Sequence, residues 1–229
     1  MREFRFALRQ TLPIFFTYLF IGIAFGMMMS ENGYSPWWSL IMAVFIFAGS
    51  MQIVMVPLLT AGTPLPILAL MTLFINGRHL FYGLGFIERF RKMGWRYPYM
   101  VLTLTDETYS ILCSVQYEEG LDQQRSDFLI ALVNQCYWIF GCLLGACLGR
   151  YMNISAEGID FSATAFFLIV VVNQWTQAKS KLPALCGLIS ALIFLFVLGP
   201  DRFLIPALSV STLILILLRD RIQREEYVA

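Results

Sequence analysis

Charge is scarce in this sequence. Asp, Glu, Lys and Arg make up 14% of its 229 residues, against about 25% in a typical soluble domain. That is too little to wet a soluble surface, and 59% of the residues are hydrophobic. Histidine is scarcer still, His79 being the only one. None of the five cysteines forms a Cys-x-x-Cys pair, and one histidine cannot complete a zinc set, so no metal and no cofactor is expected. Cys113, Cys136, Cys142, Cys147 and Cys186 all lie in apolar stretches and read as small packing residues. A net charge of +1 leaves no bulk basic surface, which argues against nucleic-acid binding. No segment resembles a phosphate-cradling Walker motif.

What the chain has is long apolar runs, near 12–30, 36–60, 64–87, 98–117, 128–150, 162–178, 183–199 and 203–218. Crossing a membrane takes roughly 20 apolar residues in a helix. The expected class is therefore an all-α integral membrane protein with about six to eight transmembrane segments, a single domain over 1–229 in contact with membrane lipid. The first run, Leu12 to Met29, is longer than a signal-peptide core and lacks a small-x-small cleavage site before Glu31, so it reads as a retained span.

Lys and Arg in the loops set the expected orientation. Arg2, Arg5 and Arg9 mark the N-terminus, Arg219, Arg221 and Arg224 the C-terminus. Arg89, Arg91, Lys92 and Arg96 mark one loop, Lys179 and Lys181 another. All four regions read as cytoplasmic. The loop 118–127, with Glu118, Glu119, Asp122 and Asp127 against Arg125, reads as external. Simple alternation would place 88–97 outside. Segment 36–60 is therefore expected to break at Ala48-Gly49-Ser50 and return to the side it entered, and 162–178 to do the same. Interrupted backbone at membrane depth survives only beside protein or a water-filled cavity, so such a break also points to a site. Tyr18, Gly22 and Gly26 match Tyr137, Gly141 and Gly145 as Tyr-x-x-x-Gly-x-x-x-Gly. In this topology the two spans run in opposite directions, and halves 1–117 and 118–229 form an inverted repeat. The same spacing is also ordinary membrane helix packing.

Ionisable groups in apolar segments are costly and mark function. Asn76-Gly77-Arg78-His79 lies inside 64–87, and Thr105-Asp106-Glu107-Thr108 inside 98–117. Arg78 keeps its charge and needs an anion or water. His79 can carry a proton near neutral pH. Adjacent carboxylates point about 100° apart on a helix, so Asp106 and Glu107 have different partners: one to neutralise Arg78, the other for an amine or a coupling cation. Ser50, Gln52, Asn76, Arg78, Asp106, Glu107 and Asn173 are the candidate substrate contacts, and His79, Asp106 and Glu107 the proton carriers. Asn134, Gln135 and Gln174 are weaker candidates, since buried amides also join helices. Trp37, Trp38, Trp95, Tyr97 and Tyr99 suit the interfacial belts.

Three stretches resemble one family. Ala48-Gly49-Ser50-Met51-Gln52 is similar to its Ala-Gly-small-x-Gln stretch, Asn76 to Gly83 to its Asn-x-Arg-His segment ending in Gly, and Leu104-Thr105-Asp106-Glu107 to its Leu-Thr-Asp-Glu. The family is AzlC, the large subunit of bacterial branched-chain amino acid exporters, and the likeness runs in order over about residues 10–175. It implies a multi-pass bacterial inner-membrane exporter of valine, leucine, isoleucine and in some members methionine. It also implies a small hydrophobic partner subunit, AzlD. With both termini cytoplasmic and no ATPase motif, the expectation is proton- or ion-coupled secondary transport and no enzyme activity. A zwitterion needs a cation for its carboxylate and an anion for its ammonium, which Arg78 or the N–H groups near Ser50, and Asp106 or Glu107, would supply. Phe47, Met51, Phe74 and Phe81 would line the side-chain pocket. Three alternatives stay open: an intramembrane hydrolase pairing Ser50 with His79, a non-transporting assembly subunit, and a passive channel.

Overall fold

The computed structural model describes residues 2–151, 180–199 and 203–218, with Leu168, Val171, Val172, Trp175 and Thr176. The expected return of 162–178, Asn173 within it, Lys179 and the C-terminal arginines lie outside the described residues. Two compact units are present, Met1–Ala163 and Thr164–Ala229.

The described regular structure is helical. In the first unit, α1 (Arg2–Glu31) is followed by α2 (Pro36–Phe45), α3 (Gly49–Thr60) and α4 (Leu65–Arg91). After a short 3₁₀ turn (Gly94–Arg96) come α5 (Tyr97–Leu102), α6 (Asp106–Ser114) and α7 (Gln123–Tyr151). Helices α1 and α7 are each long and apolar enough to cross a membrane. Helix α4 makes a third if its parts Leu65–Leu80 and Tyr82–Arg91, bent by 56°, count as one span. In the second unit, α8 (Leu182–Leu198) and α9 (Leu204–Leu217) pack on each other, joined through Gly199 in the left-handed region (φ 77°). Like α2 and α3 they are apolar but shorter. The described residues thus hold two or three helices of crossing length, against the six to eight segments read from the apolar runs.

The four repeated glycines explain how α1 meets α7. A Cβ on Gly22 would stand 2.9 Å from the Cys142 nitrogen, and one on Gly141 2.7 Å from the Tyr18 carbonyl. On Gly26 it would overlap the Cys142 carbonyl, and on Gly145 the backbone of Ile23. The backbones touch because no side chain separates them. The pairs also rise together along both helices. The Phe15 ring lies on Tyr137, Gly22 on Gly141, Gly26 on Ala146, and Ser30 on Gly149. Helices α1 and α7 are therefore parallel, which corrects the antiparallel relation expected of them. The shared motif is a packing seam.

Side-chain contacts show which ends lie together. Thr60 at the end of α3 donates to Asn32 just past α1 at 3.0 Å, so the α2–α3 pair leaves the bundle at the end where it entered. At the opposite end Arg9 pairs with Glu118 at 3.6 Å and Arg2 donates to the Glu119 carbonyl at 3.4 Å. There Arg89 grips Asp127 bidentately, Nε at 2.7 Å and Nη2 at 2.6 Å. Arg89 also donates to the Leu112 carbonyl at 3.1 Å, and Tyr117 bridges Arg89 to Asp127. The N-terminus, the 88–97 loop and the 118–127 loop thus share one end. This corrects the separation of the acidic loop from the basic ones. The physical reason is a second break: Thr103-Leu104-Thr105 interrupts the segment read as one span, and α6 returns to the end from which α5 entered. The acidic loop faces arginines of its own end.

Asp127 is fully buried, beside an apolar cluster that includes Phe86, Phe90, Met100, Leu112 and Ile130. Burial, followed by the hydrogen bond to Asp127, raises the phenol pKa of Tyr117 in the adjoining loop. Removing one partner of a buried pair leaves the other uncompensated. Asp127→Ala is expected to destabilise the protein by about 3–5 kcal/mol, read as a lower melting temperature in detergent. Wild-type stability would show that Arg89 has other compensation.

Candidate functional site

Both helix breaks face Arg78, at the middle of α4. Its Nη2 lies 2.8 Å from Asp106 Oδ2 and donates to Ser50 Oγ at 3.1 Å. Asp106 is the first residue of α6, and Ser50 the second of α3. Two half-helix N-termini therefore converge on one guanidinium. They differ electrostatically. Helix α6 has Asp106 and Glu107 in its first turn, where carboxylates are favoured by the helix dipole. Helix α3 has no acid in its first turn and no side-chain cap from Ala48, which leaves N–H groups suited to an anion.

The breaks are locally encoded. Thr105 caps α6, its Oγ1 accepting from the Thr108 N–H at 3.4 Å. Before α3, Phe47 adopts φ 40°, a left-handed conformation that costs a non-glycine residue about 1–3 kcal/mol and concentrates at functional sites. The first-turn region of α3 is then braced. The Gln52 amide oxygen accepts from the Ala48 N–H and from Trp138 Nε1, both at 3.1 Å. A Cβ on Gly49 would meet the Trp138 ring at 3.1 Å. Gln135 ties the two interruptions together, donating to the Val44 carbonyl at 3.0 Å and accepting from Tyr99 at 2.6 Å.

Glu107 points elsewhere. Tyr18 of α1 donates to its Oε2 at 2.8 Å and meets Thr105 Oγ1 at 2.8 Å. Asn134 donates to Thr108 Oγ1 at 3.1 Å. His79 Nε2 stands 4.0 Å from Asp106 Oδ1. Among the described residues, Asn76 Oδ1, Arg78 Nε, Asp106 Oδ1, Gln52 Nε2 and Asn134 Oδ1 are buried without a hydrogen-bond partner. Arg78 Nε and Asp106 Oδ1 belong to the Arg78–Asp106 pair itself, where a polar ligand or water would satisfy them.

The structure thus brings Ser50, Arg78, His79 and Asp106 together, and no contact from Asn76 to them is among the described contacts. It turns Glu107 to α1 and Gln52 to α7. The Ser50–His79 pair of the hydrolase reading is not among the described contacts, and Ser50 Oγ accepts from Arg78. Phe47 is packed edge-on against Tyr18, and Met51 is fully buried. Phe74 is half-buried, and the Phe81 side chain lies outside the described residues. Sequence reasoning missed Tyr18 and Trp138 as partners of the site. Tyr18 carried a signal only as part of the glycine motif.

The family model described as AzlC protein matches residues 13–152. The span includes every element of this site. The chain belongs to the AzlC family. It is 36% identical over 224 residues to the branched-chain amino acid transport protein AzlC of Bacillus subtilis, covering 97% of this chain and 88% of that protein. It is 34% identical over 223 residues to an uncharacterized membrane protein of Helicobacter pylori, covering 97% and 98%. It is 27% identical over 194 residues to the Escherichia coli inner membrane protein YgaZ, covering 80% and 78%. No solved structure matches. As an AzlC-family chain with long apolar helices, this is a membrane protein of a transport family.

Proposed function

We propose that this AzlC-family chain is a proton-coupled secondary transporter that exports valine, leucine, isoleucine and methionine across the bacterial inner membrane. It acts with a small AzlD-like membrane subunit. The observation that carries the reading is the Arg78–Asp106 pair at two half-helix N-termini, 2.8 Å apart and each about one-third exposed. Support for the substrate class comes from the name of the Bacillus subtilis relative.

An ion pair in a low-dielectric site can accept a zwitterion without creating net charge. The substrate carboxylate takes Arg78 and the free N–H groups of α3. Its ammonium takes Asp106, whose Oδ1 accepts no hydrogen bond. Ser50 and Asn76 hold the polar ends. Protonation of Asp106, with His79 at 4.0 Å as the exchange partner, removes the anion that holds the ammonium and releases the substrate. Glu107, fixed by Tyr18, is a second proton site. With cytoplasmic termini, the arginine-rich end of the first unit faces the cytoplasm and the 118–122 loop lies there with it.

The test is efflux of radiolabelled valine, leucine and methionine from preloaded cells expressing the chain, with and without an AzlD-like neighbour and a protonophore. Uphill efflux that needs the partner and collapses with the proton gradient is expected. Downhill-only flux indicates a channel. No flux of any of the three, despite membrane insertion with the partner, overturns the substrate assignment.

A further inference from the structure

At the basic end of the first unit, Arg2, Arg5 and Arg9 share one face of α1 at i, i+3 and i+7 spacing. Together with Phe6 and Glu118 they line a cavity of about 150 Å³. The existing contacts there are weak. Arg9 and Glu118 are 3.6 Å apart with 79% and 56% of their side chains exposed, and Arg2 reaches only a carbonyl at 3.4 Å. Exposed pairs of this kind hold their side chains loosely. Three guanidiniums against one carboxylate leave a local excess of positive charge suited to a phosphate.

The same helix face then changes character. Leu12, Phe16 and Phe20 continue the stripe at i+3 and i+4 steps beyond Arg9, and they are 56%, 55% and 68% exposed. A cationic cluster that runs directly into an exposed apolar track matches the two ends of one molecule, an anionic headgroup and its acyl chain. A free phosphate has no use for the apolar track, and a zwitterionic lipid has less for the arginines. Anionic surfaces attract basic residues at a membrane boundary. We infer that Arg2, Arg5 and Arg9 with the Leu12–Phe16–Phe20 track form a specific binding site for an anionic phospholipid at the N-terminal end of α1. This site is separate from the Arg78–Asp106 pair and does not rest on the transport reading.

The test uses the full chain purified in detergent, with bound lipid counted by native mass spectrometry and melting temperature recorded in parallel. The probes are phosphatidylglycerol, phosphatidylcholine of the same chain length, and inorganic phosphate. Phosphatidylglycerol is expected to bind and raise the melting temperature, and the other two to do neither. Arg5→Gln/Arg9→Gln should weaken phosphatidylglycerol binding at least tenfold. Phe16→Ser, which leaves the charges intact, should weaken it severalfold. Arg150→Gln at the far end of α7 serves as the control and should bind as wild type. Equal binding of both lipids, undiminished binding to the double Gln variant, or equal stabilisation by inorganic phosphate would overturn the assignment. If the double variant does not fold, the Arg5→Gln and Phe16→Ser single variants decide by the same criteria.

Discussion

Asp106→Asn is expected to abolish amino acid efflux while leaving a folded, membrane-inserted protein. Asn keeps the size of Asp106 and removes its charge. Arg78 cannot discharge itself; its hydrogen bonds to Ser50 and to the new amide oxygen would remain, but without a countercharge. Breaking a fully buried pair costs about 3–5 kcal/mol. Here about a third of each side chain is exposed, so water moderates the cost and the fold survives. Function has no such reserve, since the ammonium contact is gone and the zwitterion would enter with its positive end unpaired. Efflux per inserted molecule should fall by about two orders of magnitude or more. Expression, membrane extraction and melting temperature are measured alongside. Wild-type efflux from a well-expressed variant would remove Asp106 from the mechanism.

Gly145→Leu is expected to prevent assembly of the first unit. Even a Cβ at this position overlaps the backbone of Ile23, and backbone cannot swing aside as a side chain does. Helices α1 and α7 would have to separate along the seam that also holds Tyr18 against Trp138. The loss should exceed about 4 kcal/mol, the range reserved for severe overpacking and lost networks. It should appear as aggregation or loss of the monodisperse peak in detergent. Gly85→Ala, whose Cβ meets nothing within 4 Å, should behave as wild type. A well-folded Gly145→Leu protein would show that the α1–α7 contact is not as close as described.

Much of the site was legible in the sequence because its members violate the rules of their surroundings. Arg78, His79, Asp106 and Glu107 are ionisable groups within apolar runs, and the structure sets Asp106 on Arg78. The return of 36–60 was legible because the basic 88–97 loop required one of the first three segments not to cross, and Ala48-Gly49-Ser50 marked which one. The second break was not read, although Thr105 followed by Asp106 and Glu107 is a helix start written in the sequence. Hydropathy hides it, since α5 and α6 flank only three residues between Leu102 and Asp106. Missing that break moved the acidic loop to the wrong end and made α1 and α7 antiparallel. The Arg89–Asp127 pair was invisible for a related reason. Both residues sit at the ends of apolar runs, where charge is expected to face water, and only tertiary packing buries Asp127.

The most direct test of the ion-pair account is calorimetric titration of the purified protein with leucine, leucinamide and 4-methylpentanoate. The three share one side chain and differ only in the charged ends. If the substrate opens the Arg78–Asp106 pair, leucine binds, and the other two bind at least tenfold more weakly because each leaves one charge of the pair unmatched. Leucinamide or 4-methylpentanoate binding as tightly as leucine would contradict the account.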